Sequence, residues 1–218
     1  GGDGGGPQPV FYAVKVMDTR PMRFNEGFDP SRMLREVDIM RQLDHPHIIR
    51  LHEVFQTDQE LLLVLEYCPG LELFDAILQR GHFQEAEARP LFVQILQAIQ
   101  YLHHKQIAHR DVKPENIILM QGDKVAKLLD FGLSKRMGSE MGSLGKTFVG
   151  TPCYLAPEVE ARQRLRGAPD GERCADLGRY GTAVDCWSLG AVLYVMLVAR
   201  FPEFMQTQGP SGGGKSEG

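Results

Sequence analysis

Residues 108–132 read AHRDVKPENIILMQGDKVAKLLDFG, and four of them, Asp111, Lys113, Asn116 and Asp130, are types that can act on a charged oxygen substrate. Their spacing matters because two short apolar runs, NIILM and VAKLLD, flank a QGD turn and predict a β-hairpin. The midpoint of Asn116 and Asp130 is residue 123, inside that turn, so antiparallel pairing sets the two side by side at one end. Asp111 lies in the loop that enters the same end. Two carboxylates and an amide beside a lysine make an oxygen-rich site, and a few hard oxygen ligands that share a cation with water and phosphate suit Mg²⁺.

The elements that must position these groups can be read from periodicity. Phe11–Met17 alternates and predicts a strand with Phe11, Ala13 and Lys15 on one face. DPSRMLREVDIMRQLDH predicts a helix with Pro30 in its first turn and a stripe of Met33, Val37, Met40 and Leu43. HIIRLHEVF and ELLLVLEY predict two strands joined by the polar QTDQ, and CPGLELFDAIL passes from a Pro-Gly break into a short helix. Leu91, Phe92, Ile95, Leu96, Ile99 and Leu102 mark a long helix best started at Pro90, with Glu85–Arg89 as a separate turn. AVDCWSLGAVLYVMLVA is apolar nearly all round, which predicts a helix buried on all sides. Strands with one helix, then mostly helices, predict an α+β chain of two lobes.

The chain has 218 residues, 43% of them hydrophobic, enough for one domain with a real core. A net charge of −4 gives no push toward nucleic acid or an anionic membrane. Four cysteines, Cys68, Cys153, Cys174 and Cys186, are scattered without a C-x-x-C pair. That argues against a disulfide framework or a zinc site and fits a reducing intracellular compartment, cytoplasmic or nuclear. The longest apolar run, around Gly190–Ala199, is too short to span a bilayer.

Taken singly, HRD is a solvated charge cluster, DFG a turn and AVK a strand with a surface lysine. Their joint occurrence in this order, from about Phe11 to Phe204, resembles the eukaryotic protein kinases. The resemblance implies ATP and Mg²⁺ as cofactors and protein Ser/Thr hydroxyls as substrates. It makes Lys15 the phosphate-binding lysine, paired with Glu36. Asp111 would orient the substrate hydroxyl and accept its proton, Lys113 would neutralise the moving phosphoryl, and Asn116 and Asp130 would hold the metal. Ala13, Leu65, Glu66, Cys68, Glu72 and Ile118 would surround the nucleotide, with Leu65 as gatekeeper and Glu66 and Cys68 in the adenine-contacting hinge. Leu71 stands where the family usually has glycine. His109 would pack beneath Phe131 in a column with Met40 and Leu51, and Asp185 would hold the backbone of the catalytic loop. GTPCYLAPE resembles the end of the activation segment, with Thr151 in the substrate loop and a buried Glu158 closing it. Arg110 implies control by activation-loop phosphorylation, for which Thr147 is preferred over Ser139 and Ser143.

DVKPEN is similar to the serine/threonine kinases, and GLELFDAIL, DFGLSK and VGTPCYLAPEV resemble the calcium/calmodulin-dependent kinase group, which implies substrates with basic residues upstream. Its checkpoint-kinase and plant-type calcium-dependent branches both remain open.

The opening GGDGGGPQP does not supply the family's phosphate-covering loop. G-x-G-x-x-G fails from Gly1 at Asp3, from Gly2 at Pro7 and from Gly4 at Pro9. The sequence thus reads as a linker (1–9), a partial N-lobe (10–67), a partial C-lobe (68–204) and a flexible tail (205–218). On this reading the glycine-rich-loop strands and the C-terminal helices are lacking, and a partner or further segment would cover the C-lobe. Two functions follow: ATP-dependent phosphoryl transfer to Ser/Thr, or a kinase-like module with weak or no catalysis that acts by binding.

Overall fold

The computed structural model describes residues 9–20, 31–136, 154–159 and 181–202. Strand β1 (Tyr12–Asp18) pairs antiparallel with β3 (Glu60–Glu66), which pairs antiparallel with β2 (Leu51–Gln56), giving the order β1-β3-β2. The alternation expected of β1 holds: Tyr12, Val14 and Val16 are exposed, while Ala13, Lys15 and Met17 are half-buried on the other face. Helix α1 (Ser31–Met40) turns Glu36, Val37 and Met40 inward. The sequence pattern carried this helix on to residue 45, but its last turn tightens: Arg41 N–H still reaches Val37 O, whereas Gln42 and Leu43 bond three residues back. Asp29 and Pro30 lie outside the described residues.

A short strand, β4 (Gly70–Glu72), precedes α2 (Leu73–Arg80), so the segment after the Pro-Gly break is not helical throughout. Helix α3 (Glu85–His104) runs unbroken through Pro90, against the expectation of a separate turn. The lost proline N–H falls near the helix start, where other bonds hold the chain. Glu87 carboxylate accepts Gln84 N–H at 3.0 Å, and Glu87 and Ala88 N–H both reach Gln84 O at 2.9 Å. Leu91, Ile95, Ala98 and Leu102 of α3 are buried at helical spacing.

Two short strands, β5 (Ile107–Ala108) and β8 (Lys135–Arg136), pair with each other, and β4 joins the hairpin β6 (Ile117–Met120) and β7 (Val125–Leu128) in the order β4-β6-β7. Helix α4 (Ala183–Val198) buries Val184, Asp185, Leu189, Val192 and Met196 against the rest. It is not covered all round: Ala183, Cys186 and Gly190 form an exposed stripe of small residues, which presents little apolar area to solvent. One core cluster runs from Leu63 of β3 through Ile95 of α3 to Val192 of α4. This is a mixed α+β architecture, with a sheet and one helix before a mainly helical half, as the order of predicted elements implied.

Candidate active site

The hairpin does bring Asn116 and Asp130 to one end, with the register off by one. Ile117 pairs with Leu128 and Met120 with Val125, so the turn holds four residues rather than being centred on Asp123. Gln121, Gly122 and Asp123 all take positive φ to close it. Asn116 therefore faces Leu129, whose N–H donates to Asn116 O at 2.8 Å, and Asp130 follows one residue beyond.

Asp130 has φ 51°, a left-handed conformation that is strained for a residue with a side chain. That backbone is fixed by what its carboxylate receives. Oδ1 accepts Gly132 N–H at 3.1 Å and Lys15 Nζ at 3.1 Å. Lys15 comes from β1, and its ammonium also meets Glu36 Oε1 of α1 at 2.7 Å, with Glu36 buried. Sheet, helix and hairpin thus converge on one ammonium. Burial alone would pull Lys15 down, but Glu36 and then Asp130 outweigh it and hold it above its ordinary value. Burial likewise pushes Asp130 up, and Lys15 together with the Gly132 N–H holds it below its ordinary value.

The second cluster lies in the loop before the hairpin. Asp111 Oδ2 accepts Asn116 Nδ2 at 2.8 Å and pairs with Lys113 Nζ at 3.0 Å. Asn116 Nδ2 also donates to Asp111 O at 2.8 Å, so the amide nitrogen is committed and its oxygen is the end left for a cation. Both groups fall on Oδ2 of Asp111 and leave Oδ1 open.

The backbone beneath is tightly held. His109 is fully buried, with its ring against Phe131 at 5.1 Å and 70°. Its Nε2 lies 2.9 Å from Leu129 O, a group that can only accept, so Nε2 carries a proton and Nδ1 accepts Asp111 N–H at 3.3 Å. That is the packing role expected of His109. Met40 and Phe131 share the core, with Leu51 partly buried against it. Asp185 accepts His109 N–H at 2.9 Å and Arg110 N–H at 2.8 Å, as anticipated.

The residues expected around a nucleotide fall into two cross-strand pairs: Ala13 opposite Leu65, and Glu72 opposite Ile118. Cys68 is half-buried with Sγ 3.8 Å from Glu66 O, and burial pushes its thiol up to about 11. Beside Leu71, which packs partly buried against the core, Gly70 is tightly approached: a Cβ there would meet Leu119 O. Glu158 is exposed rather than buried, because Ala156 and Val159 are the residues of that segment turned toward Val184 of α4. Thr147, Thr151, Ser139 and Ser143 lie outside the described residues.

Three participants escaped the sequence reading. Lys127 of β7 pairs with Glu66 Oε2 at 2.7 Å, signalled only by a lone lysine inside an apolar strand. His103 Nε2 meets Asp185 Oδ2 at 2.8 Å, one of two adjacent histidines at the end of α3. Gln94 fastens the edge of β7, donating to Lys124 O and accepting Ala126 N–H.

Mg²⁺ keeps several waters and takes one or two carboxylates plus substrate phosphates rather than an all-protein cage. Asp130 Oδ2 and the Asn116 amide oxygen fit that donor set. Among the described residues there is no cluster of three His, Cys, Asp or Glu that could hold a metal. Among the same residues no helix is long and apolar enough to cross a membrane.

Residues 8–212 match the protein kinase domain family. The chain is 42% identical over 200 residues to the probable serine/threonine-protein kinase fhkE of Dictyostelium discoideum, covering 89% of this chain and 26% of that protein. It is 39% identical to the serine/threonine-protein kinase cds1 of Schizosaccharomyces pombe, covering 88% and 40%. With the rice serine/threonine protein kinase OSK3 it shares 41% identity over 87% of this chain and 34% of the relative. The chain thus spans well under half the length of each of these relatives.

Proposed function

The chain belongs to the protein kinase domain family, and we propose that its protein transfers the γ-phosphoryl group of ATP to Ser/Thr hydroxyls of other proteins. The observation that carries this reading is the convergence of Lys15, Glu36 and Asp130 at one end of a hairpin whose other strand is directly preceded by Asn116, hydrogen-bonded to Asp111.

Phosphoryl transfer asks little covalent chemistry of a protein, so positioning and charge neutralisation supply most of the rate. Lys15 holds the nucleotide phosphates, kept in place by Glu36. Asp130 and Asn116 would hold Mg²⁺, which when bound would neutralise phosphate charge. Asp111 orients the incoming hydroxyl and accepts its proton on Oδ1, while Lys113 balances charge on the moving phosphoryl. The pairs Ala13–Leu65 and Glu72–Ile118, with the backbone of Glu66–Cys68, would line the place for the adenosine. The GLELFDAIL and DFGLSK segments support a place in the calcium/calmodulin-dependent group with basic substrates, and the scattered cysteines support an intracellular setting. Arg110 would read a phosphate on Thr147; unchanged activity and phosphate incorporation in Thr147→Ala would remove that control.

The test is transfer from γ-labelled ATP to a basic Ser/Thr peptide, wild type against Asp111→Asn. Loss of a positioned base should lower the rate about 10²–10⁴-fold. Equal, background-level transfer by both would sink the catalytic reading for this chain. Retained binding of Mg²⁺ and ATP in a thermal-shift measurement would then favour the binding module.

A further inference from the structure

Lys127 sits mid-strand in β7, and among the described residues no other lysine or arginine is so deeply buried. A buried ammonium costs several kcal/mol of lost hydration unless it is paired, and an apolar side chain would fill a strand interior with no such cost. Its ion pair therefore points to geometry rather than stability as the reason for a lysine here.

The surroundings show which geometry. Lys127 Nζ meets Glu66 Oε2 at 2.7 Å and Ile48 O at 3.5 Å. Glu66 ends β3, and its Oε2 also accepts Arg50 N–H at 3.3 Å, while Glu66 N–H donates to Arg50 O at 2.9 Å. The segment between α1 and β2 is laced to β7 from the other side. Leu128 N–H donates to His47 O at 2.9 Å, Ile49 N–H donates to Leu128 O at 3.0 Å, and His47 Nδ1 lies 3.0 Å from Ala126 O. The end of β3, the segment 47–50 and β7 are therefore one fastened unit, and the Lys127–Glu66 pair is its side-chain tie. From this unit the chain departs in two directions. Beyond Glu66 it continues to Cys68, and beyond Leu128 it reaches Asp130 within two residues.

We propose that Lys127 is a positioning residue: its pair with Glu66 sets the distance between the backbone of residues 66–68 and the Asp130 carboxylate. A ligand touching both ends, a nucleoside triphosphate with its cation, then meets both at once. The inference rests on the kinase reading, which puts adenine at the first end and phosphate at the second. A ligand that touches only the first end, adenosine, does not depend on that distance.

The test uses the full chain and isothermal titration with ATP plus Mg²⁺ and, separately, with adenosine. Variants are Lys127→Met, Glu66→Gln and the double. Each single variant should weaken ATP about tenfold, within the usual range of coupling between sites. Adenosine should weaken less than about twofold, and the double variant should be no worse than the weaker-binding single, because the same ion pair is removed either way. Equal losses for both ligands, no loss for ATP, or additive losses in the double would overturn the inference. Circular dichroism establishes the folded fraction, and Glu66→Gln, which keeps an acceptor for Arg50 N–H, carries the test if Lys127→Met does not fold. Binding of neither ligand by the wild type would overturn the kinase reading itself and this inference with it.

Discussion

The carboxylate of Asp185, fully buried in α4, accepts the backbone N–H of His109 at 2.9 Å, 76 residues away in sequence. Its other oxygen takes the Arg110 N–H at 2.8 Å, and His103 Nε2 approaches at 2.8 Å. Arg110 has φ 69°, a conformation that costs a non-glycine residue roughly 1–2 kcal/mol, so these bonds offset local strain just before Asp111. Asp185→Ala orphans the buried His109 N–H and the part-buried Arg110 N–H and should cost about 3 kcal/mol in urea unfolding. Asp185→Asn, which keeps one acceptor, should fall between. A loss under about 0.5 kcal/mol for the alanine variant would show that the loop is held by something else.

Gln94 does for β7 what a neighbouring strand would do. Its amide donates to Lys124 O at 2.9 Å and accepts Ala126 N–H at 2.8 Å, so both ends of one side chain close the hairpin onto α3. Gln94→Ala leaves the Ala126 N–H unpaired at a buried position, at a cost of about 1–3 kcal/mol. Hydrogen exchange at Ala126 should accelerate more than at Leu128, whose N–H bonds to His47 O. Equal exchange at the two amides would mean that the glutamine is incidental.

How legible all this was depended on the range of the interaction. The hairpin could be read because its period and turn are local, and its error of one residue arose because QGD does not say whether three or four residues close the turn. Asp111, Asn116 and Asp130 were found because their types are rare in apolar surroundings and the hairpin joins them. Lys127, His103 and Gln94 were missed because each acts on a partner 30 or more residues away, and no periodicity encodes such a pairing. Pro90 misled for the opposite reason: a local rule was overruled by capping bonds at Gln84 and by burial of Ala88 and Leu91. Helix α4 was too apolar for its exposed stripe to be seen, since alanine, cysteine and glycine count as apolar wherever they face.

Gly70 has no room for a side chain. A Cβ there would sit 2.0 Å from Leu119 O and 2.9 Å from Ile118 Cγ2, both on β6, so the β4–β6 pairing must open to admit it. Gly70→Ala should destabilise by about 2 kcal/mol or more, in the range of overpacking in a well-filled interior. It should also displace Ile118 and Glu72, which face each other two residues on. Gly190→Ala is the control, because it lies exposed within α4 with no described atom in contact range of a Cβ. It should be neutral or up to about 1 kcal/mol stabilising. Equal effects of the two substitutions in thermal unfolding would refute the steric account.

Asp130 supplies a pH dependence whose sign follows from its surroundings. Burial favours the neutral acid, but Lys15 at 3.1 Å and the Gly132 N–H outweigh it, so the folded-state pKa lies below the ordinary 3.8. The unfolded chain then binds more protons than the folded one in that window, and stability rises with pH. The contribution is fully present above the unfolded value and disappears as pH falls through the folded one. Since the Asp130 side chain is 47% exposed, solvent screening keeps it within about 1 kcal/mol. Asp130→Asn removes the titration while keeping the shape. The difference in unfolding free energy between wild type and Asp130→Asn should be flat from about pH 7 to about pH 5 and shrink in more acidic solution. It should also shrink when salt is raised at neutral pH, because the pair is half-open to solvent. A difference that grew on acidification would mean that burial, not Lys15, governs this carboxylate.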